Sequence, residues 1–231
     1  PMPDLNLVPK MQAISFRRPE APHSIVNAMC EYQAMLDAIR DGFINKAKAE
    51  IPTDQIERAN HLKAFGYFSD AAMVGICSLS ENAILSNAIA NPDITPLAKA
   101  LRTRQTKTLA SGIDIIMAEL KESMEAPPTT IDGHTHAIVF LYENPRDVSI
   151  NEPGIDWLDN ALNHRACLRA NETSAVIANY IRLLGYDAKS HSGAASDVDI
   201  NQLAVAAGLA WINNTKLIAP YIGDNFGVAA V

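Results

Sequence analysis

The stretch AVIANYIRLLGYDA, residues 175–188, joins a long helical segment to a polar loop. Apolar residues recur at helical spacing from about residue 155 to residue 184, which predicts one long helix. Gly185 follows directly, at the position where a glycine in the left-handed conformation often ends a helix. Residues 187–191 are predicted to form a brief strand after this turn.

The polar loop that follows contains Lys189, His191, Ser192 and Gly193. Loops at the ends of strands often hold ligands, because they lie at the edge of a rigid scaffold. A plain surface loop would have the same composition. The residues by themselves leave these two interpretations equally open.

The rest of the chain predicts a sheet with helices around it. Apolar runs rich in β-branched residues predict buried strands at 72–79 and 137–142. Helical spacing predicts helices at 24–49, from Thr53 towards Phe65, at 109–124 before Pro127-Pro128, and at 198–208, with a loop-like tail at 217–223. Without a regular β-α-β alternation, the pattern favours the α+β class, with a central sheet flanked by helices. Residues 1–22 are predicted to be an extended N-terminal arm, and residues 23–231 a single domain.

Composition and charge exclude several classes of function. The 231 residues carry a net charge of -7, which argues against a nucleic-acid-binding face. The sequence contains no run of about 18 apolar residues, so no membrane span is predicted. Three separated cysteines suit reduced thiols in the cytoplasm, and the lack of any Cys-x-x-Cys predicts no iron–sulfur cluster in this chain. Arg17-Arg18 lacks the apolar segment of an export signal, so we interpret it as solvated charge.

Two small groups of residues are candidate chemical sites. His134 and His136 could chelate a metal from one side of a short extended segment, but only Asp132 is a nearby further ligand. Polar histidines in a turn before a strand are the more usual case. His164 and Cys167 are spaced to meet on a helix, as a nucleophile and its base would. Burial of Cys167 in the core is the more usual alternative.

Four segments, in order, resemble cobalamin-dependent reductive dehalogenases and, more loosely, epoxyqueuosine reductases. The segment 175–188 is similar to their pattern Ile-Arg-x-Leu-Gly-Tyr-x-Ala. The apolar helix at 203–209 and the stretch LIAPYIG at 217–223 follow at the expected intervals. Upstream, the strands at 72–77 and 137–143 are similar to the strands of the family's domain. The resemblance extends over residues 65–231.

The resemblance implies a nitroreductase-related cobalamin-binding-type domain. It implies a corrinoid with its lower base displaced, held in a cavity that strand-end loops form. Carried over to this chain, the residues expected to bind the cofactor are Lys189, His191, Ser192, Gly193, Tyr221 and Gly223. The family's catalytic tyrosine has no counterpart in the helix before Ile181, so the catalytic residues stay unknown. The family's two iron–sulfur clusters also have no counterpart.

The function expected from this resemblance is that of a cobalamin-binding domain in an oxidoreductase that removes halide from organohalides. Its expected partners are the corrinoid and an iron–sulfur electron-transfer module or subunit, with neither nucleic acid nor membrane involved. Some long, oxygen-tolerant dehalogenases carry a duplicated N-terminal domain that has lost cobalamin, and this chain is similar to such a domain. A stand-alone cobalamin carrier or chaperone and a structural interaction domain are the alternatives.

Overall fold

The structure is a computed structural model that describes residues 4–103, 130–146, 148–149, 151–158, 161–214 and 216–231. The described helices are α1 (Ile25–Ala38), α2 (Gln55–Phe68), α3 (Ile94–Thr103), α4 (Ile155–Leu158), α5 (Ala161–Leu183) and α6 (Ile200–Ala206). The described strands are β1 (Met73–Ser78), β2 (Ile84–Ile89), β3 (His136–Glu143), β4 (Ser196–Val198), β5 (Trp211–Asn213), β6 (Lys216–Ile218) and β7 (Phe226–Ala230). This content confirms the predicted α+β class.

Strand β3 lies at the centre of the main sheet, with antiparallel neighbours β1 and β7. Its side chains alternate between two faces, as in any strand, and both faces are buried. Val139 and Leu141 pack on one side against Leu203 of α6. Phe140 packs on the other side in the cluster that contains Ile177 of α5. Burial on both faces explains why this strand is an uninterrupted apolar run in the sequence.

Helix α5 crosses β7 so closely that no side chain fits between them. A Cβ atom added to Gly227 of β7 would lie 2.3 Å from the backbone carbonyl carbon of Ala166 in α5. Small residues such as Ala166 and Ala170, both fully buried, line the helix along this contact. The sheet and helix α5 therefore form one packed unit, which fixes the loop that follows α5.

Gly185 ends this helix as predicted, with φ at +86°. Its amide donates to the Arg182 carbonyl at 3.0 Å, and the amide of Tyr186 donates to the Ile181 carbonyl at 3.2 Å. A Cβ atom at Gly185 would also lie 2.6 Å from the Ala47 carbonyl oxygen. Both the positive φ and the close approach of another segment require glycine here.

Helix α1 is shorter than predicted, because it ends at Ala38 and not near residue 49. The residues beyond it pack against the end of α5 instead. The amide of Asn45 donates to the Arg182 carbonyl, and the amide of Ala49 donates to the Leu184 carbonyl, both at 2.9 Å. The second bond satisfies the Leu184 carbonyl just after α5, while the Arg182 carbonyl accepts from both Asn45 and Gly185.

Further sequence predictions have mixed outcomes. The strands at 72–79 and 137–142, the helix from Thr53 and the helix at 198–208 are confirmed with small shifts of their ends. The brief strand at 187–191 is wrong, since only His191 forms a β-bridge there, with Ala230. The tail at 217–223 is not all loop, because β6 pairs with β5 in a hairpin. The helix predicted at 109–124 and the residues Pro127-Pro128 lie outside the described residues.

Candidate functional site

The loop at residues 189–193 lies inside the protein, between the end of α5 and the edge of the main sheet. The backbone of His191 pairs with that of Ala230 through two hydrogen bonds of 2.8 and 2.9 Å. The amide of Ser190 donates to the Arg40 carbonyl at 2.9 Å. The loop is therefore fixed to β7 on one side and to the segment after α1 on the other.

Lys189 is almost fully buried and forms an ion pair with Asp197. The Lys189 Nζ atom lies 2.9 Å from Asp197 Oδ2, and the Arg40 guanidinium contacts both oxygens of the same carboxylate at 2.9 and 3.3 Å. Burial by itself would raise the pKa of Asp197. The hydrogen bonds and charges of Lys189 and Arg40 outweigh that effect and lower the pKa below its usual value. Asp197 is therefore an anion held between two cations.

His191 is buried beside this group and is neutral. Its Nδ1 atom accepts a hydrogen bond of 3.3 Å from the Asp197 amide, so the ring proton is on Nε2. Burial lowers the pKa of His191 to about 3, and the positive charge of Arg40 adds to the effect. The imidazole is thus a hydrogen-bonding group at neutral pH and carries no charge.

Ser192 belongs to a second buried polar group, centred on Asp37 of α1. The Ser192 hydroxyl donates to Asp37 Oδ1 at 2.8 Å and accepts from the amides of Ala194 and Ala195 at 3.2 and 3.1 Å. The side-chain amides of Gln33, Asn91 and Asn171 also donate to the Asp37 carboxylate. Burial raises the pKa of Asp37, although these hydrogen bonds act in the opposite direction. Neutral donors thus stabilise this buried carboxylate.

Gly193 lies under the N-terminal arm. The amide of Ile14 donates to the Gly193 carbonyl at 3.2 Å. A Cβ atom at Gly193 would lie 3.1 Å from the Cδ1 atom of Ile14, so the two segments are in contact. The arm therefore covers the loop at this point.

Tyr221 and Gly223 lie in a separate turn after β6. Tyr221 has a φ of +69° and its side chain is fully exposed. Gly223 has a φ of +76° and forms a β-bridge with Ala219. The structure thus brings Lys189, His191, Ser192 and Gly193 together in one buried loop, whereas the Tyr221 side chain points into solvent.

The other candidate groups do not form recognisable catalytic or metal sites. His134 pairs with Asp187, with 3.1 Å between Nε2 and Oδ2, while His136 contacts Thr135. Among the described residues, no three His, Cys, Asp or Glu side chains form a potential metal site. Burial raises the pKa of Cys167 to about 12, so its thiol is protonated at neutral pH. These findings favour the structural interpretations of both groups.

Sequence reasoning missed Asp37, Arg40 and Asp197, the charged centres of the site. One signal was present for Asp37. It lies on the stripe of α1 that buries Val26, Cys30 and Ala34, where an apolar residue would be expected. A carboxylate on such a stripe indicates buried hydrogen-bond donors opposite it.

With this geometry, the chain can be compared with known proteins. No family model and no curated protein matches it. Solved structures of reductive dehalogenases do match this chain. The resemblance to B12-dependent reductive dehalogenases that the sequence predicted is thereby confirmed.

Three of these structures are as follows. The catabolic reductive dehalogenase NpRdhA, N-terminally tagged, is 26% identical, with a TM-score of 0.66 over 98% of this chain. The same enzyme in complex with 3-bromo-4-hydroxybenzoic acid gives the same values. A reductive dehalogenase structure that suggests a mechanism for B12-dependent dehalogenation is 25% identical, with a TM-score of 0.66 over 99% of this chain. The chain spans only 28% of the length of each of these proteins.

In the part of the chain that the structure describes, no helix is both long and apolar enough to cross a bilayer.

Proposed function

We propose that this chain is a cobalamin-binding-type domain of an oxidoreductase related to the reductive dehalogenases. The observation that carries the proposal is the structural similarity to these enzymes over 98% of the chain at 26% identity. Since the chain spans 28% of their length, we assign electron transfer and carbon–halogen cleavage to other parts of the larger protein or to a partner subunit. An iron–sulfur module is the partner that such chemistry needs.

The proposed cofactor site is the loop Lys189–Gly193, with Tyr221 and Gly223 as further candidates. In the described conformation this loop does not fit a corrinoid. Lys189 Nζ is paired with Asp197, His191 Nδ1 accepts from the backbone, and the Ser192 hydroxyl is bound to Asp37. These polar atoms are therefore occupied by internal partners. Binding at the loop requires a change of conformation.

The same observation favours a second function, in which the domain keeps the fold without the cofactor. Lys189 and Ser192 have internal partners for their side chains and need no ligand for stability, although the buried Ser190 hydroxyl forms no hydrogen bond. The domain would then be structural and bind the catalytic part of the enzyme. Its exposed apolar side chains on α2 and α5, among them Phe68, Val176 and Leu183, suit such an interface.

Corrinoid binding separates the two functions. Hydroxocobalamin is mixed with the purified chain, the mixture is passed through gel filtration, and the visible spectrum of the protein peak is recorded. Retained corrinoid with a base-off spectrum supports the cobalamin-binding domain. A protein that stays colourless supports the structural domain, provided that it also stays colourless when the N-terminal arm does not cover the loop. Aryl-halide reduction with a chemical electron donor is expected to be absent in either case, because the helix before Ile181 has no counterpart of the family's catalytic tyrosine.

A further inference from the structure

The N-terminal arm runs across the candidate site as an extended segment. The Pro9 carbonyl accepts from the Asn201 side chain at 3.2 Å, and the Met11 amide donates to Asp199 at 3.1 Å. Further along, the Ile14 amide bonds to Gly193, and the ring of Phe16 lies 4.3 Å from that of His164. Residues 9–16 thus connect the start of α6, the loop and α5.

This part of the arm is lightly held between two firmer points. Val8 is buried on one side, and on the other side Arg17 forms an ion pair of 2.9 Å with Asp93. Between them, residue 10 and residues 12–15 are exposed to solvent. Segments with few buried contacts open at lower free energy than the core does. Residues 9–16 can therefore detach while both ends stay attached.

A small cleft lies between the arm and the body of the protein. Ile14, Ser15 and Phe16 line its outer side, and Gln33, Asn91 and Ala194 are part of its inner side. Gln33 and Asn91 are also two of the donors to the Asp37 carboxylate. Removal of the arm would extend this cleft towards the Asp37 group and the turn at Ser192–Ala195.

His164 lies beneath the arm in an unfavourable environment. It is 1% exposed, and neither ring nitrogen forms a well-aligned hydrogen bond, although the ring approaches the backbone of Met29. A buried polar group without a good partner is destabilising compared with the same group in water. Lifting Phe16 from this ring would admit water to it. His164 is therefore the buried polar group that opening of the arm would hydrate, while the contact of Phe16 with the cluster around Val26 and Cys30 would be lost.

We propose that residues 9–16 are a strap that closes over the turn at Ser192–Ala195 and must detach before a ligand can enter the cleft beneath it. The identity of that ligand as a corrinoid rests on the proposed function above. The proposed movement of the strap is inferred only from the contacts of the arm. Detachment would uncover Gly193 and the adjacent turn, while the contacts of Lys189 with Asp197 and of Ser192 with Asp37 lie outside the arm.

A disulfide between arm and loop tests the proposal. A Cβ atom built at Gly193 lies 3.9 Å from the Cβ of Ile14, which is within the range of disulfides. The double variant Ile14→Cys with Gly193→Cys is therefore expected to form a cross-link on mild oxidation. Burial raises the pKa of Cys30 and Cys77 to about 11, so these native thiols are poor competitors. Ile14→Ser with Gly193→Ser is the matched control that cannot be cross-linked.

Hydrogen exchange measures the strap itself. In the oxidised cysteine variant, the amides of Met11, Ala194 and Ala195 are expected to exchange at least about tenfold more slowly than in the reduced variant or in the serine control. A tenfold change corresponds to about 1.4 kcal/mol in the opening equilibrium. Equal exchange rates in the oxidised variant, the reduced variant and the serine control would show that residues 9–16 do not open as a strap, and would refute the proposal.

Hydroxocobalamin retention then tests whether the strap controls the access of a ligand to the cleft. The comparison is made between the reduced and the oxidised forms of the same cysteine variant, which carry the same change at Gly193, and we expect the oxidised form to retain at most about a tenth as much corrinoid in gel filtration as the reduced form. Equal retention by both forms would show that the arm does not control access and would refute the proposal. If the wild-type protein and both forms of the variant fail to retain corrinoid, the proposed function fails, while the exchange measurement still decides whether the strap opens.

Discussion

Lys189 and Asp197 form an ion pair inside the protein, with 2.9 Å between Nζ and Oδ2 and only 1% of the lysine side chain exposed. Asp197 also receives two hydrogen bonds from Arg40, so one carboxylate neutralises cations from two segments. The pair fixes the candidate loop relative to strand β4. A buried charge that loses its partner is strongly destabilising, whereas an exposed one is not.

We therefore expect Asp197→Asn to lower the free energy of unfolding by about 3 kcal/mol or more, since it removes the carboxylate that both Lys189 and Arg40 contact at 2.9 Å, and Asp41 lies farther from Lys189, at 3.9 Å. Urea denaturation followed by circular dichroism measures the change. The control is Asp224→Asn, which breaks an exposed ion pair with Lys216 of 2.7 Å and should change stability little. Similar losses in the two variants would contradict the assignment of Lys189–Asp197 as the structural pair.

Stability should fall on acidification because His191 is neutral in the folded protein. Its pKa is about 3 in the folded protein, against an ordinary value of 6.5 for a histidine in water. Below about pH 6.5 the unfolded chain binds a proton that the folded protein does not, so the free energy of unfolding decreases by up to about 1.4 kcal/mol per pH unit. This decrease continues until the pH approaches the folded pKa.

His191→Asn should reduce this slope between pH 7 and pH 5, because the variant has no proton to bind at this position. Thermal or urea unfolding at several pH values gives the slope for each protein. His61→Asn, which changes an exposed histidine, is the control and should keep the slope of the wild type. An unchanged slope in the His191 variant would show that this ring is not the buried neutral group described above.

The close contact between α5 and β7 gives a steric prediction. Gly227→Ala would place a methyl group 2.3 Å from the Ala166 carbonyl carbon, and both partners are backbone in packed elements. We expect a loss of about 3 kcal/mol or more, since overpacking forces these elements apart. Gly133→Ala is the control, because its Cβ would meet no atom within 4 Å. Calorimetric melting of both variants distinguishes the two cases.

The central strands and the end of α5 could be predicted from sequence because their signals are local. Strand β3 is a run of branched and aromatic residues, and Gly185 occupies the position of a helix-ending glycine. Strand β7 was not predicted, since Gly and two Ala in Phe-Gly-Val-Ala-Ala weaken the strand preference of Phe and Val, and the segment is paired with β3 as a strand.

The site was predictable only in part, for the same reason. The loop at 189–193 was identified from its polar residues, but its burial depends on Asp37 and Arg40, which lie about 150 residues earlier in the chain. Sequence spacing carries no information on such contacts. The resemblance to dehalogenases indicated where a ligand loop should be. It could not indicate that Lys189 and Ser192 of that loop are bound to the internal carboxylates of Asp197 and Asp37.

Asp37 should be the most important hydrogen-bonding residue beneath the loop. Its carboxylate accepts hydrogen bonds from Gln33, Asn91, Asn171 and Ser192, so Asp37→Ala leaves all of these donors without their acceptor. We expect a loss of about 3 kcal/mol or more in the free energy of unfolding, because each buried donor without a partner costs about 1–3 kcal/mol before water relieves it. Asn171→Ala removes only one donor and should cost clearly less.

The same variant should also loosen the turn that the strap covers. Without Asp37, the Ser192 hydroxyl loses the acceptor that orients it towards the amides of Ala194 and Ala195. Hydrogen exchange of these two amides should therefore be faster in Asp37→Ala than in Asp54→Ala, a control that removes the N-cap of α2 instead. Equal exchange in the two variants would mean that Asp37 stabilises α1 and α5 without positioning the turn. Faster exchange only in the Asp37 variant would link the buried carboxylate directly to the candidate ligand loop.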